Sequence, residues 1–261
     1  AVIFVSHYGG KLVFAHRFRA WYEWDGRRWA QDRTDKAFNL CRLIARKTNA
    51  EGKAAYASAH FARGVESFAQ ADPAIAITGE EFDADNYLLN TPDGVIDLRT
   101  NTTRPARQDD WLTKITTVAP TSTGGHRFIQ FMGEITGGDK ELQEFLQVSL
   151  GACLSGAVES HWMLFWTGSG RNGKNTLGDV VQYVMGDYAK KIAASVLMSK
   201  THESHPTEVA QLAGARLVTS SEIDDGSFWH ESRLNELTGD ATVSARYMRQ
   251  DFFEFKRTHK H

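Results

Sequence analysis

Residues 168 to 176 read Gly-Ser-Gly-Arg-Asn-Gly-Lys-Asn-Thr. Gly168 to Gly173 followed by Lys174 fits the pattern G-x-x-x-x-G-K, in which glycines let backbone N–H groups close around phosphate oxygens. Gly168, Ser169, Gly170, Arg171, Asn172 and Gly173 would form the cradle, and Lys174 would reach the β- and γ-phosphates of ATP. The next position normally carries a hydroxyl for Mg²⁺. Here it carries Asn175, and the hydroxyl comes one place later at Thr176. An amide oxygen is also a hard ligand suited to Mg²⁺, whereas Thr176 points about 100° further round a helix. The expectation is nucleotide binding with Asn175 as a metal ligand, and hydrolysis short of the activity a hydroxyl ligand would give. A glycine-rich strand-to-helix turn without a ligand is the plain alternative.

A hydrolysing site of this kind needs carboxylates at the end of a neighbouring strand. Glu222, Asp224 and Asp225 follow the apolar stretch Arg216 to Ser221. Glu222 is the choice for activating water, with Asp224 and Asp225 as second candidates and Asp224 also a metal contact. Taken alone, three acids after a strand also suit a solvated turn. Further on, Arg246, Tyr247, Met248 and Arg249 sit near the tip of an expected hairpin, where they would grip a phosphate backbone and stack on a base. An exposed hairpin with solvated arginines fits the same letters.

The elements that must position these groups follow from periodicity. Residues 162 to 166, Trp-Met-Leu-Phe-Trp, form a short apolar run expected as a strand buried on both faces. After the loop, Leu177, Val180, Val181 and Val184 recur at helical spacing, and 216 to 221 reads as a second buried strand. A helix from Asp139 to about Leu154 should turn Leu142, Phe145, Leu146, Leu150 and Leu154 inward. The first 32 residues read as strands and turns, with Asp25-Gly26 marking a hairpin. Helices are expected from Thr34, as N-cap, and over Ala54 to Gln70. Strand, turn and strand follow around Pro92-Asp93-Gly94. The Thr/Ser/Pro/Gly-rich stretch 117 to 127 is the best linker, so the expected domains are 1–120 and 121–261.

Composition bounds the possibilities. The chain has 261 residues, 41% hydrophobic and 24% charged, which is globular in character. Its net charge of −2 gives no overall basic footprint, but a small local patch for DNA is not excluded. Cys41 and Cys153 lie far apart among apolar neighbours and are expected as buried free thiols in a reducing compartment. No apolar run is long enough to span a membrane. His202 to His205, His-Glu-Ser-His, lacks the spacing that puts two imidazoles on one helix face and is expected as a polar loop. The aromatics and arginines of "WYEWDGRRW" are better explained by cross-strand packing than by stacking on bases.

The order of these pieces resembles the superfamily 3 helicases, in the branch of phage and plasmid primase-helicases related to the poxvirus type. The matching segments are "GSGRNGKNT", "ARLVTSSEIDDG" and "LNELTGDATVSARYMRQDFFEFK", the last being the most specific. "WDGRRW", "NYLLNTPDGVIDLRT" and "LQVSLGACLSG" resemble the family's helicase-associated domain, so the likeness covers nearly the whole chain. It implies an α/β fold: an AAA+-like core with a parallel sheet flanked by helices, preceded by a smaller α+β domain. It implies a ring ATPase, hexameric in the family, that takes ATP and Mg²⁺ and moves on single-stranded DNA, with a primase module upstream. It also implies a cytoplasmic setting in a bacterial host and no membrane contact.

In that family Lys174 and Asn175 would hold phosphate and Mg²⁺. Glu222, Asp224 and Asp225 would be the acidic motif, and Arg246 to Arg249 the moving DNA hairpin. The chain opens at Ala1 and stops at "FKRTHKH", before the family's polar sensor and arginine finger. The expectation is therefore a piece of a longer protein that binds nucleotide and hydrolyses it poorly. Two other functions remain open on the residues: a P-loop kinase for a small molecule, and a non-hydrolysing, nucleotide-dependent DNA-loading or assembly module.

Overall fold

The computed structural model describes residues 1–49, 52, 54–168, 170–199, 206–220, 228–248 and 251–261. Contacts group the chain into two units, Ala1–Ala84 with Pro105–Lys114, and Asp85–Arg104 with Ile115–His261. The architecture is mixed α/β, as expected, with four small sheets among the described residues. No helix among them is long and apolar enough to cross a membrane.

The first unit contains helix α1 (Val2–Tyr8), strands β1 (Leu12–Ala15), β2 (Ala20–Trp24) and β3 (Trp29–Gln31), helices α2 (Lys36–Lys47) and α3 (Ala59–Gln70), and strand β4 (Ala76–Ile77). The sheet order is β3-β2-β1-β4, antiparallel except for the parallel β1–β4 pair. The Asp25-Gly26 hairpin forms because the Asp25 carboxylate accepts the N–H groups of Arg27 and Arg28, each at 2.8 Å. Across it Trp24 pairs with Trp29, which is buried and stacks on Trp111 at 5.3 Å. Cross-strand packing therefore accounts for these aromatics.

Three local expectations in this unit change. Residues 2–8 are helical, not extended: Phe4 is fully buried edge-on to Trp21, and that burial outweighs the β-preference of Val2, Ile3 and Val5. The start of α2 is held by Asp32, whose carboxylate accepts from Thr34 and Ala37 N–H, so Thr34 is not the cap. The helix expected over 54–70 is broken by Ser58, whose extended backbone and hydroxyl cap Phe61 N–H at 3.2 Å and restart the helix as α3.

The second unit opens with an antiparallel sheet, β5 (Leu88–Thr91), β6 (Gly94–Asp97) and β7 (Thr102–Arg104), around the expected Pro92-Asp93 turn. Helices α4 (His126–Ile135), α5 (Lys140–Ala152) and α6 (Lys174–Met185) follow. Next come β8 (Ala189–Ile192), α7 (Pro206–Ala210), β9 (Leu217–Ser220), α8 (Glu231–Thr238), β10 (Thr242–Ala245) and β11 (Phe253–Lys256). Asp139 caps α5 by accepting from Leu142 N–H. This helix is rotated from the expected setting. Leu146, Ser149 and Cys153 form its buried line, while Leu142 and Phe145 are 41% and 55% exposed.

Strands β8 and β9 run parallel in register from Ala189↔Leu217 to Ile192↔Ser220. The last residues extend this pair. Val218 N–H donates to the Lys260 carbonyl at 2.9 Å and Lys260 N–H to the Arg216 carbonyl at 3.0 Å, while Leu164 N–H reaches the His261 carbonyl at 2.9 Å. The lateral order is thus β8, β9, residues 258–261, then residues 162–166. The expected strand over 162–166 does not form: Leu164 N–H bonds the His261 carbonyl, but the stretch takes no regular secondary structure, and Phe165 is 58% exposed, so it is not buried on both faces. Buried Arg216 and Lys260 donate to the carbonyls of Leu154 and Ser155, which follow α5, and so fasten the end of that helix to the sheet.

Candidate functional site

The apolar chain 162–166 delivers the glycine-rich loop to the head of α6. Gly173 is the N-cap and takes φ 84°, the left-handed region where a side chain costs about 1–2 kcal/mol. A Cβ there would lie 2.3 Å from Ile135 Cγ2 and 3.2 Å from Phe131, so the loop rests directly on α4. A Cβ at Gly168 would meet the Asn172 amide and crowd the Lys174 ammonium, so the two side chains that close the loop would have to shift. Arg171 also has positive φ, at 51°. Backbone strain of this sort persists where the surroundings enforce it.

Lys174 curls back over its own loop. Its ammonium donates to Asn172 Oδ1 at 2.8 Å and to the Gly168 carbonyl at 3.3 Å. The group therefore stands at the mouth of the cradle, at the positive end of α6. Beside it opens a cleft of about 960 Å³, large enough for a nucleotide. Gly168, Gly170, Lys174 and Asn175 line it from the loop side, and Thr219 and Ser220 from the end of β9. Asn175 lines the cleft; the exposed Thr176 does not. The Gln182 side chain bonds the Thr219 hydroxyl and locks α6 to β9.

Glu222, Asp224, Asp225 and Ser169 lie outside the described residues, as do Arg249 and the His202–His205 stretch. Among the described residues no group of three His, Cys, Asp or Glu side chains is placed to hold a metal. Cys153 lines the cleft, but burial pushes its thiol up to about 11, which makes it inert as a nucleophile. Cys41 is likewise buried and pushed up to about 12. Both thiols are free, as expected.

Sequence reasoning missed Lys191 of β8, Gln182, Thr219 and Ser220 on the cleft walls. The Lys190-Lys191 pair reads as an ordinary solvated edge. Only the parallel pairing of Lys191 with Thr219 brings it to this cleft.

The hairpin expected downstream is present as antiparallel β10–β11, in register Thr242↔Lys256 to Ala245↔Phe253. Beyond the strands, the Arg246 guanidinium lies over Phe252 at 4.8 Å, and Met248 and Phe252 are 70% and 62% exposed. Tyr247 behaves differently from the expectation of a base-stacking group. Its ring stacks on Phe253 at 5.3 Å and packs on the core, and its hydroxyl donates to the Ala210 carbonyl at 3.3 Å. It anchors the hairpin from within, because an amphipathic ring half-covered by core gains more from that contact than from solvent.

Residues 1–137 match the family described as D5 N terminal like, and residues 166–261 match a family of unknown function, DUF5906. The chain belongs to the D5 N terminal like family. The candidate helicase L207/L206 of Acanthamoeba polyphaga mimivirus is 27% identical over 189 residues, covering 67% of this chain and 19% of that protein. The candidate primase C962R of African swine fever virus (isolate Warthog/Namibia/Wart80/1980) is 34% identical over 99 residues, covering 37% of this chain and 10% of that protein. The chain thus spans a fifth or less of the curated relatives it matches. In fold it is similar to the apo A form of the NrS-1 C-terminal region, with a TM-score of 0.51 at 12% identity, over 95% of this chain and 51% of that one. These matches bear out the resemblance to primase-helicases read from the sequence.

Proposed function

We propose that the second unit is a nucleoside-triphosphate-driven motor that moves on single-stranded DNA during replication, working as a ring of several copies. The observation that carries this reading is the glycine-rich loop closed by Lys174 at the head of α6, facing the end of β9 across the cleft. The names of the viral relatives, a candidate helicase and a candidate primase, support a replication role.

In this reading loop N–H groups and Lys174 hold the β- and γ-phosphates of ATP. Asn175 and Asp224 would hold Mg²⁺, which would neutralise phosphate charge. Glu222 would accept a proton from the attacking water, with Asp225 as a second candidate in the acidic motif. Arg246, Met248 and Arg249 contact DNA from the hairpin, which Tyr247 fixes in place. The test is ATP turnover by the full-length protein with and without single-stranded DNA. Turnover should be DNA-stimulated and should fall at least a hundredfold in Lys174→Ala. Intact DNA-dependent turnover in that variant would show that the site is wrongly placed.

Asn175 in place of a hydroxyl favours a second reading, a nucleotide-dependent assembly or DNA-loading module without turnover. Stoichiometric ATP binding and DNA loading with no phosphate release would select it.

A further inference from the structure

We propose that the α2–α3 face of the first unit is a second nucleic-acid contact, one that grips the phosphate backbone away from the nucleotide cleft. From Lys36 to Gln70, the span of α2 and α3, the sequence holds six Lys and Arg against two acids, Glu51 and Glu66, a local +4 in a chain whose total is −2. Glu51 and Lys53 fall outside the described residues, so the placed cations are Lys36, Arg42, Arg46, Lys47 and Arg63. Lys36 is taken by Glu23 at 2.6 Å. Among the described residues no carboxylate lies within ion-pair distance of Arg42, Arg46, Lys47 or Arg63, although the Arg63 charge acts on Glu66 one turn along α3. Arg42 bonds only the neutral amide of Asn39, at 2.7 and 3.1 Å. Arg63 lays its guanidinium over Phe38 at 4.9 Å.

Their spacing is ordered. Phe38, Arg42 and Arg46 recur every four residues on one side of α2, each step rising about 6 Å. Arg63, over Phe38, extends the row from α3, and Lys47 flanks it. Arg46 and Lys47 are exposed, and Tyr56, packed on Phe61 at 4.8 Å in the turn between the helices, is 37% exposed.

A helix dipole explains cations in the last turn, and so accounts for Arg46 and Lys47. It does not account for Arg42 in the middle of the helix or for Arg63 on α3. Nor does it explain why α2 carries no acid at all. Solvated helix faces normally mix both signs, whereas an acid-free row of guanidiniums on α2 with an aromatic beside it suits a polyanion of regular charge and stackable bases. The identity of that polyanion rests on the DNA reading above; the surface itself does not.

Fluorescence anisotropy of the full-length protein with a labelled single-stranded oligonucleotide, at several salt concentrations, tests this. The variant is Arg42→Gln/Arg46→Gln/Lys47→Gln, which removes no buried contact. Each lost phosphate contact should lower the log–log salt slope by about 0.7, so the triple variant should lose about 2. Its melting temperature and ATP-analogue affinity should match the parent's. A triple variant with the parent's affinity and slope overturns the inference and leaves the motor reading intact. A parent with no salt-dependent DNA affinity overturns both. Equal binding of a polyglutamate peptide at the same salt would assign the face to an acidic protein and overturn the nucleic-acid assignment.

Discussion

At the residue scale, the account depends on how single groups at the cleft are held. Asn175 lines it and Thr176 does not, so in the proposed site the amide, not the later hydroxyl, would be the metal ligand. Asn175→Ala should weaken Mg²⁺-dependent binding of an ATP analogue about tenfold or more, and Asn175→Ser should restore it, measured by calorimetry. An unchanged Asn175→Ala variant would remove the residue from the site. His259 is a second case. It is fully buried with neither ring nitrogen hydrogen-bonded among the described residues, and burial, with His261 and Arg257 nearby, holds it down to about 3. Burial holds His261 down to about 4. Both imidazoles are neutral in the fold but bind protons near pH 6.5 once it opens. The unfolded chain therefore binds more protons below that pH, and stability falls on acidification from about pH 6.5 toward 4, by up to about 1.4 kcal/mol per pH unit for each group. Melting temperature against pH should fall over this window and fall less steeply in His259→Leu. An equal slope would mean that His259 titrates freely.

At the element scale, the loop is shaped as much by α4 as by its own glycines. Gly173→Ala meets both a left-handed backbone and the Ile135 methyl. It should cost about 2–4 kcal/mol, of which Ile135→Ala returns the steric part and leaves the backbone part of about 1–2 kcal/mol. Chemical denaturation of the two single variants and the double variant reads this coupling directly; simple additivity would mean that α4 does not support the loop. The same contact shows what the sequence could reveal. The loop-to-α6 junction was legible because glycine, lysine and helical periodicity agree within a dozen residues, and the β10–β11 hairpin because its strands are adjacent. The rotation of α5 was not, since Leu142 and Leu146 are equally apolar and only distant partners choose which is buried. Nor was the weak pairing of 162–166, because Leu164 finds its partner at His261, almost a hundred positions away. Lys191 escaped for the same reason: its role depends on a parallel pairing that no local pattern encodes.

At the scale of the whole molecule, two units with separate cores carry different surfaces. Phe4, Trp21 and Cys41 anchor a core of the first, and Val196, Leu212 and Phe255 one of the second. The small net charge conceals a basic face in the first unit, so overall charge does not argue against the polyanion contact proposed for it. Nucleotide should act on the second unit alone. In hydrogen exchange, an ATP analogue with Mg²⁺ should slow amides in 170–177 and 216–220 and leave α2 and α3 unchanged, while single-stranded DNA should protect α2–α3. Protection by the analogue spread evenly over both units would contradict separate sites. The most direct measurement is a crystal structure of the chain with a non-hydrolysable ATP analogue and Mg²⁺. The account predicts the β- and γ-phosphates against the N–H groups of 170–174, the Lys174 ammonium swung from Asn172 onto phosphate oxygen, and Glu222 facing the γ-phosphate. Analogue bound elsewhere, or a loop with Lys174 still tied to Asn172 at saturating analogue, would contradict it.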